Sequence, residues 1–197
     1  MVISVTPMEM SNVPAARLPQ HIEGLRADPQ FWPSEMDRGS AVCVLFLIAG
    51  DGDAHLVLIR RSTNISSHRG QIGFPGGRRD PEDKSPTETA LRELDEEIGL
   101  AADRLQVHGL LPPIHGLDGS PVYPLVVSST DGLHQLNPNP EEVAGIISAP
   151  WKDFQRTHDD PFHFKLFGLS RSSHLFRVQS NMVWGLTARI IYLANFY

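Results

Sequence analysis

Two apolar runs, AVCVLFLIAG (41–50) and AHLVLIRRS (54–62), face each other across the pair Asp51-Gly52. Each has strand length and strand composition, and Asp-Gly between two such runs is a strong hairpin signal. Further on, LQVHGLLP, VYPLVVSS and HLFRVQ also read as strands, and MVWGLTARIIYLANFY reads as an apolar C-terminal helix that packs on them. The stretch PAARLPQHIEGLRA (14–27) predicts a short amphipathic helix, followed by a connection bearing Pro and Asp. WKDF reads as a single helical turn. Residues 129–172 are rich in Pro, Asn, Asp and Ser, which predicts loops laid over a core rather than a linker between domains. No internal repeat or low-complexity tract appears, so the pattern is mixed α/β.

The best-defined helix lies inside GFPGGRRDPEDKSPTETALRELDEEIGL, residues 73–100. Ser85 is a natural N-cap, Pro86 suits the first helical position, and Glu88 completes a capping box. Gly99 ends the helix. At the helical period Thr87, Ala90, Leu91, Leu94 and Ile98 form one stripe that can face a sheet, while Glu93, Glu96 and Glu97 fall on a different face. These acids sit near the negative end of the helix dipole, and Glu93 and Glu97, one turn apart, repel by about a few tenths of a kcal/mol. A divalent cation reverses that sign, because hard ions such as Mg²⁺ are held by one or two carboxylates with waters and phosphate oxygens. Arg92 has i,i+4 neighbours in Glu88 and Glu96 and can hold Glu96 in place. A merely solvated acidic face explains neither the gathering of acids against the dipole nor the preceding GFPGGRRD. There Gly76 and Gly77 leave room beside the backbone and Pro75 stiffens the approach.

With 197 residues, 41% of them hydrophobic and 20% charged, the chain can close one core, which predicts one domain over 1–197 with an N-terminal helical extension over about 1–38. No apolar run approaches the roughly 20 residues of a membrane span, and the first residues lack the layout of a signal peptide, so cytoplasm is the expectation. The single cysteine, Cys43, lies in an apolar run; that excludes an internal disulfide and predicts a buried, inert thiol. A net charge of −6 argues against a nucleic-acid surface. An anionic substrate therefore needs a local basic patch or a metal, and Arg60, Arg61, Arg69, Arg78 and Arg79 cluster just before the helix. Along a strand Arg60 and Arg61 point to opposite faces; Arg61 is the one expected in the pocket, with Arg60 serving solubility. His68 is either a substrate contact or a plain loop residue, and no His or Cys spacing suggests zinc. Trp184 and Phe74 either flank a nucleobase or belong to the core.

GRRDPEDKSPTETALRELDEEIGL resembles the Nudix box, and LVLIRRSTNISSHRGQIGFPGG (56–77) is similar to the extra motif of the coenzyme A diphosphatase branch. NPNPEEV and VWGLTARI also resemble that branch, and the likeness covers most of residues 40–193. Two departures stand out. Asp83 takes the place of the first Glu of the box, with one extra residue before Arg92, and Ser66 stands where an Arg usually follows the Arg-Ser pair, leaving Arg69 as the nearest replacement.

The resemblance implies an α/β Nudix fold, a mixed β-sheet sandwiched between helices, and hydrolysis of a diphosphate bond dependent on Mg²⁺ or Mn²⁺. For coenzyme A or its derivatives the products are 3′,5′-ADP and 4′-phosphopantetheine. It implies Glu93 and Glu97 as metal ligands, assisted by a backbone carbonyl near Gly77, and Arg92, Glu93 and Glu96 as the catalytic set. Arg61, Arg69, Gly76 and Gly77 line the substrate side, and the base comes from the helix acids or from Glu141 or Glu142. The expected partner is a small coenzyme A-like nucleotide, with no nucleic acid and no membrane; a homodimer stays open. Two alternatives remain: the same chemistry on ADP-ribose, a dinucleotide or an oxidised nucleotide, and a non-catalytic nucleotide sensor. The sensor is disfavoured because Arg92, Glu93, Glu96 and Glu97 are all present.

Overall fold

Strand β1 (Ser40–Ile48) organises the protein because both of its faces are buried. Ala41, Cys43, Leu45 and Leu47 join one core, and Val44, Phe46 and Ile48 join another on the opposite side of the sheet. The structure, a computed structural model, describes residues 18, 25, 39–64, 69–154, 162–166 and 169–195. The helix expected over 14–27 lies outside the described residues apart from Leu18 and Leu25, which pack on the second core. Ser66 and His68 also lie outside them.

The hairpin to β2 (Ala54–Arg61) forms where Asp51-Gly52 predicts it: Ile48 pairs with Ala54, the Ala49 carbonyl accepts from Gly52 N–H at 2.8 Å, and Gly52 takes φ 82°. Next, β3 (Ile72–Gly73) pairs with β2, and β4 (Gly76–Arg78) runs antiparallel to the start of β1, setting Gly76 opposite Val42 and Gly77 opposite Ala41. Helix α1 (Pro86–Ile98) follows. Then β5 (Gln106–Leu110) and β6 (Ile114–His115) pair with the fully buried β7 (Pro121–Ser129), itself parallel to β1. A parallel pair within an otherwise antiparallel sheet makes it mixed, with eight strands in all.

The loop reading of residues 129–172 is corrected. Strand β8 (Val143–Pro150) pairs with β2 from His55 to Arg61, and β9 (Phe162–Leu166) pairs with β10 (Leu169–Ser173). VAGIISAP carries Gly, Ser and two Ala, so its strand state comes from pairing with β2 rather than from intrinsic preference. WKDF does form one 3₁₀ turn. A second hairpin, β11 (Phe176–Val178) with β12 (Asn181–Val183), precedes α2 (Gly185–Ala194), so Met182 and Val183 belong to a strand and the last helix starts later than the apolar run suggests.

Ala90, Leu94 and Ile98 of α1 cover one face of the sheet, and Ala188, Ile190, Ile191 and Ala194 of α2 cover the other. Each fully buried Leu or Ile here contributes about 1.5–3 kcal/mol. Helix α1 is capped as its sequence implies: Ser85 Oγ accepts from Glu88 N–H at 3.2 Å, and Gly99 adopts φ 67°. Glu88 Oε2 accepts from Lys84 N–H at 2.7 Å, one residue before the expected partner of a capping box. At the other end Gly99, Asn139 and Asn137 donate to the carbonyls of Asp95, Glu97 and Ile98 at 2.8–2.9 Å. These donors satisfy the helix end that Glu96 and Glu97 would otherwise face bare.

Candidate active site

The acids of α1 do not share one solvated face. Glu97 is fully buried, Glu93 keeps 15% of its side chain exposed, and Glu96 keeps 54%. Glu97 Oε2 accepts from Gly76 N–H at 2.8 Å, and its Oε1 lies 3.4 Å from Arg61 Nη1, which also donates to the Gly76 carbonyl at 3.4 Å. The sequence reading that set Glu97 apart from the buried stripe is thus corrected. The start of β4 and the end of β2 close over it, whereas Thr87 and Leu91 of the expected stripe stay only partly buried.

Burial pushes the Glu97 carboxyl up to about 7, opposed by Gly76 N–H and Arg61 and reinforced by the charges of Glu93 and Glu142. Burial likewise raises Glu93, with Arg92 opposing and Glu96 and Glu142 adding to the rise. Three carboxylates, Glu93, Glu97 and Glu142, therefore repel one another across this site. Glu141 is exposed, and its backbone N–H donates to Asn139 Oδ1.

Arg92 is the hub beside them. Its Nε and Nη2 fork onto Asp83 at 3.2 and 3.0 Å, Nη1 reaches Glu96 at 2.8 Å and Glu93 at 3.2 Å, and Nη2 donates to the Arg78 carbonyl at 3.1 Å. The Glu88 partnership expected from i,i+4 spacing is replaced, since Glu88 is occupied at the helix cap. Asp83 also accepts from Asp80 N–H and from Thr89 Oγ1, at 2.9 and 2.7 Å. Burial alone would raise Asp83, but Arg92 and these donors hold its carboxyl below the usual range. Arg92 is held charged by the same contacts.

The glycines explain the approach of β4. A Cβ on Gly76 would collide with the Ala41 carbonyl and Val42, and its φ of 147° is open to Gly alone. A Cβ on Gly77 would occupy the space of the Glu93 carboxylate.

Residues 37–168 match the NUDIX domain family. This chain belongs to the Nudix family. It is similar to the uncharacterized Nudix hydrolase NudL of Pectobacterium atrosepticum, 36% identical over 169 residues, which span 85% of this chain and 86% of that one. The protein of the same name from Photorhabdus laumondii is 38% identical over 161 residues, 79% of this chain and 83% of its own. Among solved structures, the Nudix hydrolase RenU of M. smegmatis aligns with a TM-score of 0.49 at 25% identity, over 62% of this chain and 74% of that one. The protein is a Nudix hydrolase, and Nudix hydrolases generally use divalent metal ions.

The donor set of this Nudix site suits such an ion. Among the described residues no group of three or more His, Cys, Asp or Glu side chains is placed to hold a metal ion by itself. An ion that keeps water and substrate oxygens needs only one or two carboxylates, and the mutual repulsion of buried Glu97 and partly desolvated Glu93 is relieved by positive charge.

The residues singled out by sequence do not all converge. Glu93, Glu97, Arg61, Gly76 and Gly77 meet in one contact network, and Arg92 and Glu96 adjoin it. Arg69 is exposed in the turn before β3, next to Gly70, whose N–H donates to the Arg61 carbonyl at 3.1 Å. Arg78 is exposed, while Arg79 Nε donates to the Asp83 carbonyl at 3.3 Å. Phe74 proves to be a core residue at 5% exposure, but Trp184 is 57% exposed, against the core reading. Cys43 is buried, its Sγ 3.3 Å from the Ala90 carbonyl, and burial pushes its thiol far up. Sequence reasoning missed the anchoring part of Asp83, for which the shifted spacing ahead of Arg92 was the available signal. Among the described residues no helix is long and apolar enough to cross a membrane.

Proposed function

We propose that this Nudix hydrolase cleaves the diphosphate bond of coenzyme A or its derivatives, giving 3′,5′-ADP and 4′-phosphopantetheine or its acyl form, with Mg²⁺ or Mn²⁺. One observation carries the reading: Arg61 and Gly76, both of the coenzyme A-like segment 56–77, contact Glu97 of the Nudix box. These contacts support a single site shared by the extra motif and the box.

In this reading Glu93 and Glu97 would hold the metal, and the chemistry it would supply is neutralisation of phosphate charge and activation of water for attack. Arg61 and Arg69 receive the diphosphate, a task for which the guanidinium fork suits phosphate oxygens. Gly76 and Gly77 let the backbone come close. Arg92, fixed by Asp83, keeps Glu93 and Glu96 oriented; Glu96 either assists a second ion or remains paired to Arg92. The proton of the attacking water passes to a helix acid or to Glu142, whose charge already acts on Glu93 and Glu97.

The test is to incubate the purified protein with Mg²⁺ or Mn²⁺ and, separately, coenzyme A, ADP-ribose, NADH and a nucleoside triphosphate, identifying products by mass. Coenzyme A giving 3′,5′-ADP is the expected result. Cleavage of ADP-ribose or NADH with coenzyme A untouched refutes the substrate assignment, and binding without any cleavage favours the sensor.

A further inference from the structure

Arg60 has no part in the sequence reading beyond solubility, yet its side chain is half-buried and both ends of its guanidinium are engaged. Nη1 donates to the Gly70 carbonyl at 3.5 Å, and Nη2 donates to Asn181 Oδ1 at 2.5 Å, across 121 positions of chain. The two arginines point to opposite faces of β2, as strand alternation requires: Arg61 goes to Glu97, and Arg60 goes to the β12 hairpin that leads into α2.

Gly70, with φ 65°, lies in the turn just before β3. Gly70 N–H donates to the Arg61 carbonyl and Arg61 N–H donates to the Gln71 carbonyl at 2.9 Å, so Arg61 and the turn at Arg69-Gly70 share one hydrogen-bonded base. Thr187 of α2 holds the next residue but one, its Oγ1 donating to the Ile72 carbonyl at 3.1 Å. Bound phosphate needs its cations already in place, because ordering a turn on binding weakens affinity.

We propose that Arg60 is a positioning residue for substrate binding: by bridging Gly70 to Asn181 it sets the turn that carries Arg69 beside Arg61. The role rests on the reading of Arg61 and Arg69 as phosphate ligands. A planar fork can serve two separated acceptors at once, which a lysine ammonium does poorly.

The experiment compares steady-state kinetics on whichever nucleotide diphosphate the protein hydrolyses, coenzyme A or ADP-ribose. Arg60→Gln is expected to raise KM about tenfold with kcat within about threefold, and Arg60→Lys to recover part of the loss. Asn181→Ala should reproduce the effect, and the double variant should be no worse than either single one, since both break one bridge. KM within about twofold of the native protein in folded Arg60→Gln, or additive losses in the double variant, overturns the proposal. If Arg60→Gln does not fold, Asn181→Ala alone decides by the same KM criterion. Arg69→Ala separates the two layers. A raised KM there with an unchanged Arg60→Gln removes the positioning role and leaves the phosphate role standing, whereas no effect of Arg69→Ala removes both.

Discussion

The two faces of the sheet solve different problems. Under α2 the core is apolar: Val44, Phe46, Leu56 and Leu58 of the sheet meet Phe154, Phe176, Ile190 and Ile191. Under and beside α1 an equally tight core of Cys43, Leu45, Ala90, Leu94 and Ile98 is interrupted by Glu97, with Asp83 and Thr89 buried nearby. Among the described residues Asp83 and Glu97 are the buried carboxylates, and both lie on this side. A buried charge without partners costs several kcal/mol, so each of the two is surrounded by donors. One face thus contributes stability, and the other gives up some of it to hold carboxylates where water is scarce.

That contrast predicts variants that separate fold from chemistry. The largest effect should come from Ile191→Ala on the α2 face: a loss of about 3 kcal/mol, seen as a lower melting temperature, with KM of the folded enzyme unchanged. An equal loss of activity per folded molecule would erase the distinction between the faces.

Glu97→Gln should do the reverse, lowering turnover at least ~100-fold, about 2.7 kcal/mol, while leaving the metal-free fold intact. Its pH dependence sharpens the point. The folded Glu97 titrates at about 7 against an ordinary 4.5, so the folded state holds the proton longer than the unfolded one. Metal-free stability should therefore fall as pH rises from about 4.5 to about 7 and level off above, and Glu97→Gln should remove that component in urea titrations at pH 5 and 8. By the same linkage, Mn²⁺ affinity measured by calorimetry should increase as pH rises through 7, since the ion competes with the proton.

Asp83→Asn should cost about 2 kcal/mol, less than breaking a fully buried pair because Arg92 keeps 26% of its side chain in solvent. Turnover should fall with it as Glu93 and Glu96 lose a fixed neighbour. Smallest is Gly77→Ala. The added methyl pushes against the carboxylate of Glu93, a side-chain end rather than backbone, so turnover should drop about tenfold with little change in melting temperature. Gly76→Ala is its control: there the obstacle is backbone and φ is 147°, so stability falls too.

Much of this was legible along the chain because the governing interactions are local. Asp51-Gly52 specifies its own hairpin, and Ser85, Pro86 and Gly99 specify the ends of α1 within a few residues of each. The stacking of Glu93 and Glu97 also follows from helical spacing alone. What sequence spacing misplaced was burial and partnership. Thr87 and Leu91 fit the apolar stripe better than Thr89 and Glu97, yet the latter two are the buried ones, because what covers a helix face comes from other elements. Strand β8 escaped notice since its small residues become a strand by pairing with β2.

By itself, then, the sequence determined the mixed α/β class, the acidic helix with its caps, and the glycine-rich approach to it, since these depend on propensity, period and backbone freedom over short spans. Only the tertiary structure decided that Glu97 lies dry against Gly76 and Arg61, that Asp83 anchors Arg92, and that Arg60 reaches Asn181. Those contacts join residues brought together by sheet order and loop closure, and a carboxylate's desolvation is set by everything packed around it rather than by its neighbours in the chain.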